Sequence, residues 1–236
     1  MQGMTRRDFV RNSVAAGATA AAAVGAAGTA EGATPADGRI KILAISCSPR
    51  KGKTTAASLG VCLQAAREVS DRIETELIEL AGLKINGNVA AGIPLAEGEQ
   101  DDFPSLVPRL RDPKVWGIII GTPVYFGNMS SLCKAFLDRC IVLYQDNHAL
   151  SNKVAGVLAV GGTRNGGQEV TIQSVQVSLF CQEMIVVGNG RPSSRLGATV
   201  WSGAEGGVLK DEFGITTAKT LGRRVAEVAL RVAGVG

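Results

Sequence analysis

The chain has few aromatic residues, a single histidine, and no apolar run of the roughly twenty residues that a membrane span requires. The last absence excludes a multi-spanning membrane protein. Basic tracts are also missing. Lys and Arg stand mostly singly and the formal net charge is only +4, so nothing here points to nucleic acid. Five Cys in 236 residues do not make a disulfide scaffold. A largely disordered chain is excluded from the other side: 45% hydrophobic against 19% charged residues leave enough apolar surface to offset the entropy of folding. The length suits one domain or at most two. The lone histidine, His148, lies in the polar stretch Gln145-Asp146-Asn147-His148 and reads as a solvated loop residue. Glu97, Glu99, Asp101 and Asp102 read as a solvated charge run.

What is present begins with Thr5-Arg6-Arg7-Asp8-Phe9-Val10-Arg11, followed by a stretch from Val14 to Ala27 made of Ala, Gly, Val and Thr. A charged start, a weakly apolar middle and small residues near Ala30 have the layout of a signal peptide. Thr5, Arg6, Arg7, Phe9 and Val10 resemble the twin-arginine export signal. The expectation is a signal over residues 1–30, a linker over 31–38, one folded domain over 39–236, and export to the periplasm without a membrane span after cleavage. Cleavage would remove three Arg and one Asp, taking the net charge from +4 to +2.

From Arg39 the pattern alternates. Ile40 to Ile45 is a short apolar run predicting a strand, and Thr54 to Asp71 has helical spacing at Ala57, Val61, Ala65 and Val69. Thr75–Leu80, Val115–Gly121, Val154–Val160 and Met184–Val187 predict four more strands. The third of the five contains Gly-Ile-Ile-Ile-Gly, which suits burial on both faces of a parallel sheet. Helices are predicted over Phe103–Leu110, Ser130–Leu143, Glu169–Cys181 and Ile215–Val232. The alternation predicts an α/β, flavodoxin-like doubly wound five-stranded parallel sheet of order 2-1-3-4-5 with helices on both faces. Two stretches, Ala81–Asp101 and Gly188–Gly214, are too long for plain connectors.

In such a sheet ligands bind at the carboxyl ends of the strands, and three loops there carry unusual residues. The first is Ser46-Cys47-Ser48-Pro49-Arg50-Lys51-Gly52-Lys53-Thr54-Thr55. Hydroxyls, three cations, a Gly and a helix N-terminus are what a phosphate group needs. A nucleotide-triphosphate P-loop is disfavoured, because it requires Gly where Cys47 stands. The second loop is Gly121-Thr122-Pro123-Val124-Tyr125-Phe126-Gly127-Asn128-Met129-Ser130. Two adjacent aromatics in a chain that is 4% aromatic suit a planar heterocycle. The third is Gly161-Gly162-Thr163-Arg164-Asn165-Gly166-Gly167-Gln168-Glu169, rich in backbone amides and carrying one cation.

With these residues in view, the chain resembles the flavodoxin-like NADPH-dependent FMN reductases, and within them the iron–sulfur flavoprotein branch, over about Ile40 to Ala233. The resemblance implies FMN as cofactor and NADPH or NADH as electron donor. It implies that Ser48, Arg50, Lys53, Thr54 and Thr55 hold the phosphate, and that Pro123, Val124, Tyr125, Phe126, Gly127 and Asn128 hold the ring. Gly162, Thr163, Arg164 and Asn165 would face its pyrimidine edge. No side chain is needed as a catalytic acid or base, because the flavin carries the chemistry. The function implied is an NAD(P)H oxidoreductase passing electrons to a quinone or other small acceptor. The alternative is an FMN-binding electron carrier that serves protein partners without nicotinamide turnover, and a third class is a member that has lost the flavin. The resemblance also implies a homodimer or homotetramer.

One departure is plain. The iron–sulfur branch carries four Cys between the second strand and the helix before the third, but Leu83 to Gly92 contains none, so no cluster and no other metal is expected. Cys133 and Cys140 are seven apart on one predicted helix, about 10 Å along its axis. Cys62 and Cys181 fall on apolar helix faces and are expected to be buried. Cys47 has two readings: a packed thiol, or one activated by neighbouring cations and a helix N-terminus.

Overall fold

A computed structural model describes residues 37–236. The expected signal over 1–30, and all but the last two residues of the expected linker, lie outside the described residues. In chain order the elements are β1 (Ile40–Ser46), α1 (Thr54–Arg67), β2 (Ile73–Glu79), two 3₁₀ turns (Gly87–Ala91 and Phe103–Ser105), α2 (Val107–Leu110) and β3 (Val115–Tyr125). They continue with β4 (Asn128–Met129), α3 (Ser131–Arg139), α4 (Ile141–Gln145), β5 (Val154–Gly161), α5 (Gln168–Phe180), β6 (Ile185–Val186), β7 (Ala198–Trp201), a 3₁₀ turn (Val208–Lys210) and α6 (Glu212–Val232).

The strands form one sheet along the path β2-β1-β3-β5-β6, with β4 added to β3 and β7 to β5. All pairings are parallel except the short β3–β4 hairpin. The strand order reverses between β1 and β3, which is the topological switch point. The sheet thus has seven strands where five are expected, for two reasons. First, β3 runs on past Gly121 to Tyr125 and turns back into β4. Pro123 is tolerated there because the Gly121 carbonyl faces β1, accepting from Cys47 N at 2.8 Å. With a period of two, the missing N–H of Pro123 faces that same side, where β1 has already ended. Second, the edge position beside β5 is shared. Ile185 and Val186 pair with Val154 and Ala155, the chain leaves the sheet, and β7 returns to pair Ala198 with Leu158.

Both faces of the sheet are apolar, as a sheet covered on two sides requires. On one side Ile40, Ile42 and Ala44 join a core with α1 and α6; on the other Leu43, Ile45 and Cys47 join a core with α3 and α5. α1 and α6 pack closely because position 222 is glycine: a Cβ there would lie 2.0 Å from the Cys62 carbonyl oxygen. The helix expected over Ser130–Leu143 is broken at Cys140 into α3 and α4.

The connection over 81–101 is not a solvated charge run throughout. Asp101 receives both terminal nitrogens of Arg139, at 2.8 and 2.6 Å, and the two side chains are only 10% and 5% exposed. Arg139 also donates to the Asn86 carbonyl at 3.2 Å and lies 4.8 Å over the Phe103 ring. The Arg139 guanidinium holds the Asp101 carboxyl below the usual carboxylate range, against the opposing effect of burial. The second long connection, after β6, is pinned by Asn189, which is fully buried. Its side chain accepts from Arg195 N at 2.6 Å and donates to Ser193 Oγ at 2.6 Å and Thr220 Oγ1 at 3.1 Å. His148 precedes β5, at the opposite edge of the sheet from the three loops, with its ring 4.4 Å from that of Tyr144. Among the described residues no helix is long and apolar enough to cross a membrane.

Candidate functional site

The carboxyl ends of β1, β3 and β5 bring the three loops together. A short network fastens the first two. Ser130 Oγ donates to the Cys47 carbonyl at 2.7 Å and accepts from Cys133 N at 3.1 Å, capping α3. Ser130 N donates to Thr122 Oγ1 at 3.1 Å. One buried hydroxyl therefore ties the end of β1 to the start of α3. This role for Ser130 is not evident from the linear sequence, where Cys47 lies 83 residues away.

The first loop is formed but unsatisfied. Ser48 is 3% exposed, and its hydroxyl accepts from Arg50 N at 3.2 Å, which fixes the turn. Gly52, with φ +65°, donates its N–H to Glu79 Oε2 at 2.7 Å. α1 starts at Thr54 behind Lys53, with no side-chain cap on its first turn. Thr55 Oγ1 and Ser46 Oγ are buried without a hydrogen-bond partner among the described residues. Arg50, Lys51 and Lys53 are exposed and make no ion pair among the described residues. Buried hydroxyls lacking partners are uncommon and call for a ligand or water. Uncapped helix amides beside unpaired cations form an anion site. These residues fit the phosphate of a mononucleotide. Ser46, which opens this loop in the sequence but stands outside the expected phosphate set, joins that set.

The second loop is a two-residue hairpin. Phe126 and Gly127 both have positive φ, +50° and +72°. A bulky residue in the left-handed region costs about 1–3 kcal/mol and is a marker of function. Phe126 is also fully solvent-exposed, and Tyr125 is 45% exposed. A chain with so few aromatics thus holds one in a strained turn with its ring in solvent. Pro123 and Val124 belong to β3 and Asn128 to β4, so most of the expected ring loop is strand.

Carbonyls of the third loop are held both from within it and by the end of β7 and the segment that follows it. The Gly162 carbonyl accepts from Trp201 Nε1 at 2.9 Å, and the Gly161 carbonyl from Ser202 N at 2.9 Å. Gln168 is buried and donates to the Thr163 carbonyl at 2.6 Å while accepting from Gly166 N at 2.8 Å. Gly162, Thr163 and Asn165 remain exposed. Arg164 is not a free cation. It forms an ion pair with buried Asp211, and its guanidinium lies over the rings of Trp201 and Phe213 at 5.6 and 5.5 Å. Burial pushes the Asp211 carboxyl up, but the Arg164 guanidinium and the amides of Gly214 and Trp201 outweigh it and hold it below its ordinary value.

The thiols take no part in this chemistry. Cys47 is fully buried; burial, with Cys133 alongside, pushes its thiol well up, which removes the activated reading. Burial likewise pushes Cys62 and Cys140 up to about 12. Cys181 is exposed, contrary to its apolar pattern, because it caps the C-terminus of α5. No group of three or more metal-ligating side chains occurs among the described residues.

Comparison with known proteins places this architecture. A family model described as NADPH-dependent FMN reductase matches residues 40–197. The chain belongs to that family. An iron-sulfur flavoprotein of Methanocaldococcus jannaschii is 38% identical over 192 residues, covering 80% of this chain and 97% of that one. A NAD(P)H dehydrogenase (quinone) of Aromatoleum aromaticum is 32% identical over 173 residues, covering 68% of this chain and 78% of that one. In fold, the flavodoxin-like WrbA-like protein of Agrobacterium tumefaciens superposes with a TM-score of 0.56 at 20% identity, over 81% of this chain and 98% of that one. The fold is accordingly α/β and flavodoxin-like. The protein is an FMN-dependent oxidoreductase that uses NAD(P)H.

Proposed function

We propose that the protein oxidises NADH or NADPH through bound FMN and delivers the electrons to a quinone or another small acceptor. The observation that carries this reading is the unsatisfied first loop beside the strained, solvent-exposed Phe126: one supplies an anion cradle, the other a flat apolar surface at the same sheet edge. Quinone reduction as the outlet is supported by relatives named NAD(P)H dehydrogenase (quinone).

In this reading Arg50 and Lys53 neutralise the phosphate, Thr54 and Thr55 bond it, and Ser48 shapes the turn that presents them. Pro123 to Asn128 hold the ring, and Gly162, Thr163 and Asn165 border its pyrimidine edge. Arg164 acts there through its fixed charge while anchored on Asp211. When bound, FMN supplies the hydride and electron chemistry; the protein supplies position, exclusion of water and electrostatics. No side chain is assigned as proton donor or acceptor.

The test is steady-state oxidation of NADH and NADPH with an added benzoquinone, after the visible spectrum has shown a flavin. Turnover with quinone is the expected result. A flavin that neither donor reduces would assign the protein instead to electron carriage between proteins, and a colourless protein that fails to bind added FMN would assign it to neither. Export by the twin-arginine route, with the mature protein a homodimer or homotetramer, belongs to the same proposal. Loss of periplasmic protein on replacing Arg6 and Arg7 by Lys, and the solution mass of the mature chain, check those two points.

A further inference from the structure

A groove opens beside the third loop and shares only Arg164 and Asn165 with the proposed pyrimidine edge of the FMN site. Its first chamber, about 560 Å³, is lined by Asn165, Gly167, Glu169, Arg195 and Phe213, and by no residue of the first two loops. A second chamber of about 520 Å³ continues along α5, past Gln176 and Ser194 to Phe180. Glu169 and Arg195 line both chambers and stand at the waist between them. Each volume lies in the range of small-molecule sites.

The charge at the waist is exchangeable. Arg195 lies 5.7 Å over the Phe213 ring and 3.3 Å from Glu169, with side chains 48% and 54% exposed. An exposed single-contact pair is weak and screened, so another anion can take the place of the carboxylate. Its neighbour on the same ring, Arg164, is committed to Asp211. The backbone that presents Arg195 is fixed, since its amide and carbonyl are both held by buried Asn189, at 2.6 and 3.2 Å. α5 opens at the waist behind Gly167 with no side-chain cap, adding amide donors there. Two chambers joined at a positioned cation suit a ligand with two bulky ends and an anionic middle.

We infer that the nicotinamide dinucleotide lies along this groove, with its pyrophosphate on Arg195 in place of Glu169 and its reducing end entering past Asn165 and Gly167. This rests on the proposed NAD(P)H reading and assigns the donor a place. The test uses FMN-loaded protein and the oxidised dinucleotides NADP⁺ and NAD⁺, which bind without turnover, measured by titration calorimetry. Losing a charge-assisted contact in Arg195→Ala should weaken dinucleotide binding roughly ten- to a hundredfold while FMN affinity is unchanged. Glu169→Gln, which frees Arg195, should tighten it. Wild-type binding of NADP⁺ with Arg195→Ala unaffected overturns the groove and leaves the proposed function standing. Wild-type protein that binds neither dinucleotide also overturns the groove, whereas the proposed function falls only if neither NADH nor NADPH bleaches the bound flavin. Glu169→Gln that weakens binding also overturns the groove, and it remains informative if Arg195→Ala fails to fold.

Discussion

The two long connections of this chain look alike in sequence, each mixing Gly with scattered charges, yet they have been put to opposite uses. The one over 81–101 is fastened to the end of α3 by Asp101 and Arg139, a two-pronged pair almost out of solvent. The one after β6 presents Arg195 to a single oxygen of Glu169 with both partners half in water. The difference teaches how to read an arginine. One whose nitrogens are claimed by a buried carboxylate is part of the frame; one held loosely, or not at all, is available to a ligand. Arg50, which makes no ion pair among the described residues, is the extreme of the second kind.

The sharpest way to break this comparison is at its buried end. Removing one partner of a buried pair strands the other's charge, at a cost of roughly 3–5 kcal/mol. Arg139→Ala should therefore lower the urea midpoint substantially. A midpoint within error of wild type would mean that the pair is no more than a surface contact. The same pair should appear in the acid limb of stability. Asp101 titrates lower in the folded protein than in the unfolded chain. Its contribution is then fully present above the unfolded value of about 3.9 and is lost as pH falls through the lower folded value. Below about pH 4, wild type and Asp101→Asn should converge in stability. If their difference stays constant from pH 7 to pH 3, the carboxylate charge is not what holds the connection.

How much of this is legible in sequence depends on distance along the chain. The buried strands announce themselves, because a run such as Gly117 to Gly121 has no other economical place than the middle of a covered sheet. The three loops are legible too, since strand ends, Gly and hydroxyls lie side by side. Partners are not. Asp101 reads as one acid in a solvated run, because nothing local marks Arg139, 38 residues on, as its mate. Arg164 reads as the one cation of its loop with no partner named, for the same reason: Asp211 is 47 residues away. The split of the edge strand into β6 and β7 is hidden because a two-residue strand has no periodicity to detect.

At the unpaired end of the scale, Arg50 should matter for the cofactor and not for the fold. Arg50→Ala is expected to weaken FMN binding by roughly 1.5–3 kcal/mol, about ten- to a hundredfold, as for a charge-assisted hydrogen bond. Its urea midpoint should be that of wild type. FMN affinity, read from recovery of flavin fluorescence on dilution, would overturn the phosphate assignment if it did not change.

The smallest effect is the most discriminating, because it tests the exposed pair where little should happen. An exposed salt bridge contributes about 0–1 kcal/mol, and Glu169 also sits in the first turn of α5, where a negative charge is worth a few tenths more. Glu169→Gln should therefore lower stability by at most about 1 kcal/mol, and that small loss should shrink as salt is added. Arg139→Ala should keep most of its penalty in the same salt series, because a pair out of water is screened far less. Were the two penalties to fall together with ionic strength, burial would not be what separates the two arginines, and the division into frame and ligand cations would have to be drawn on other grounds.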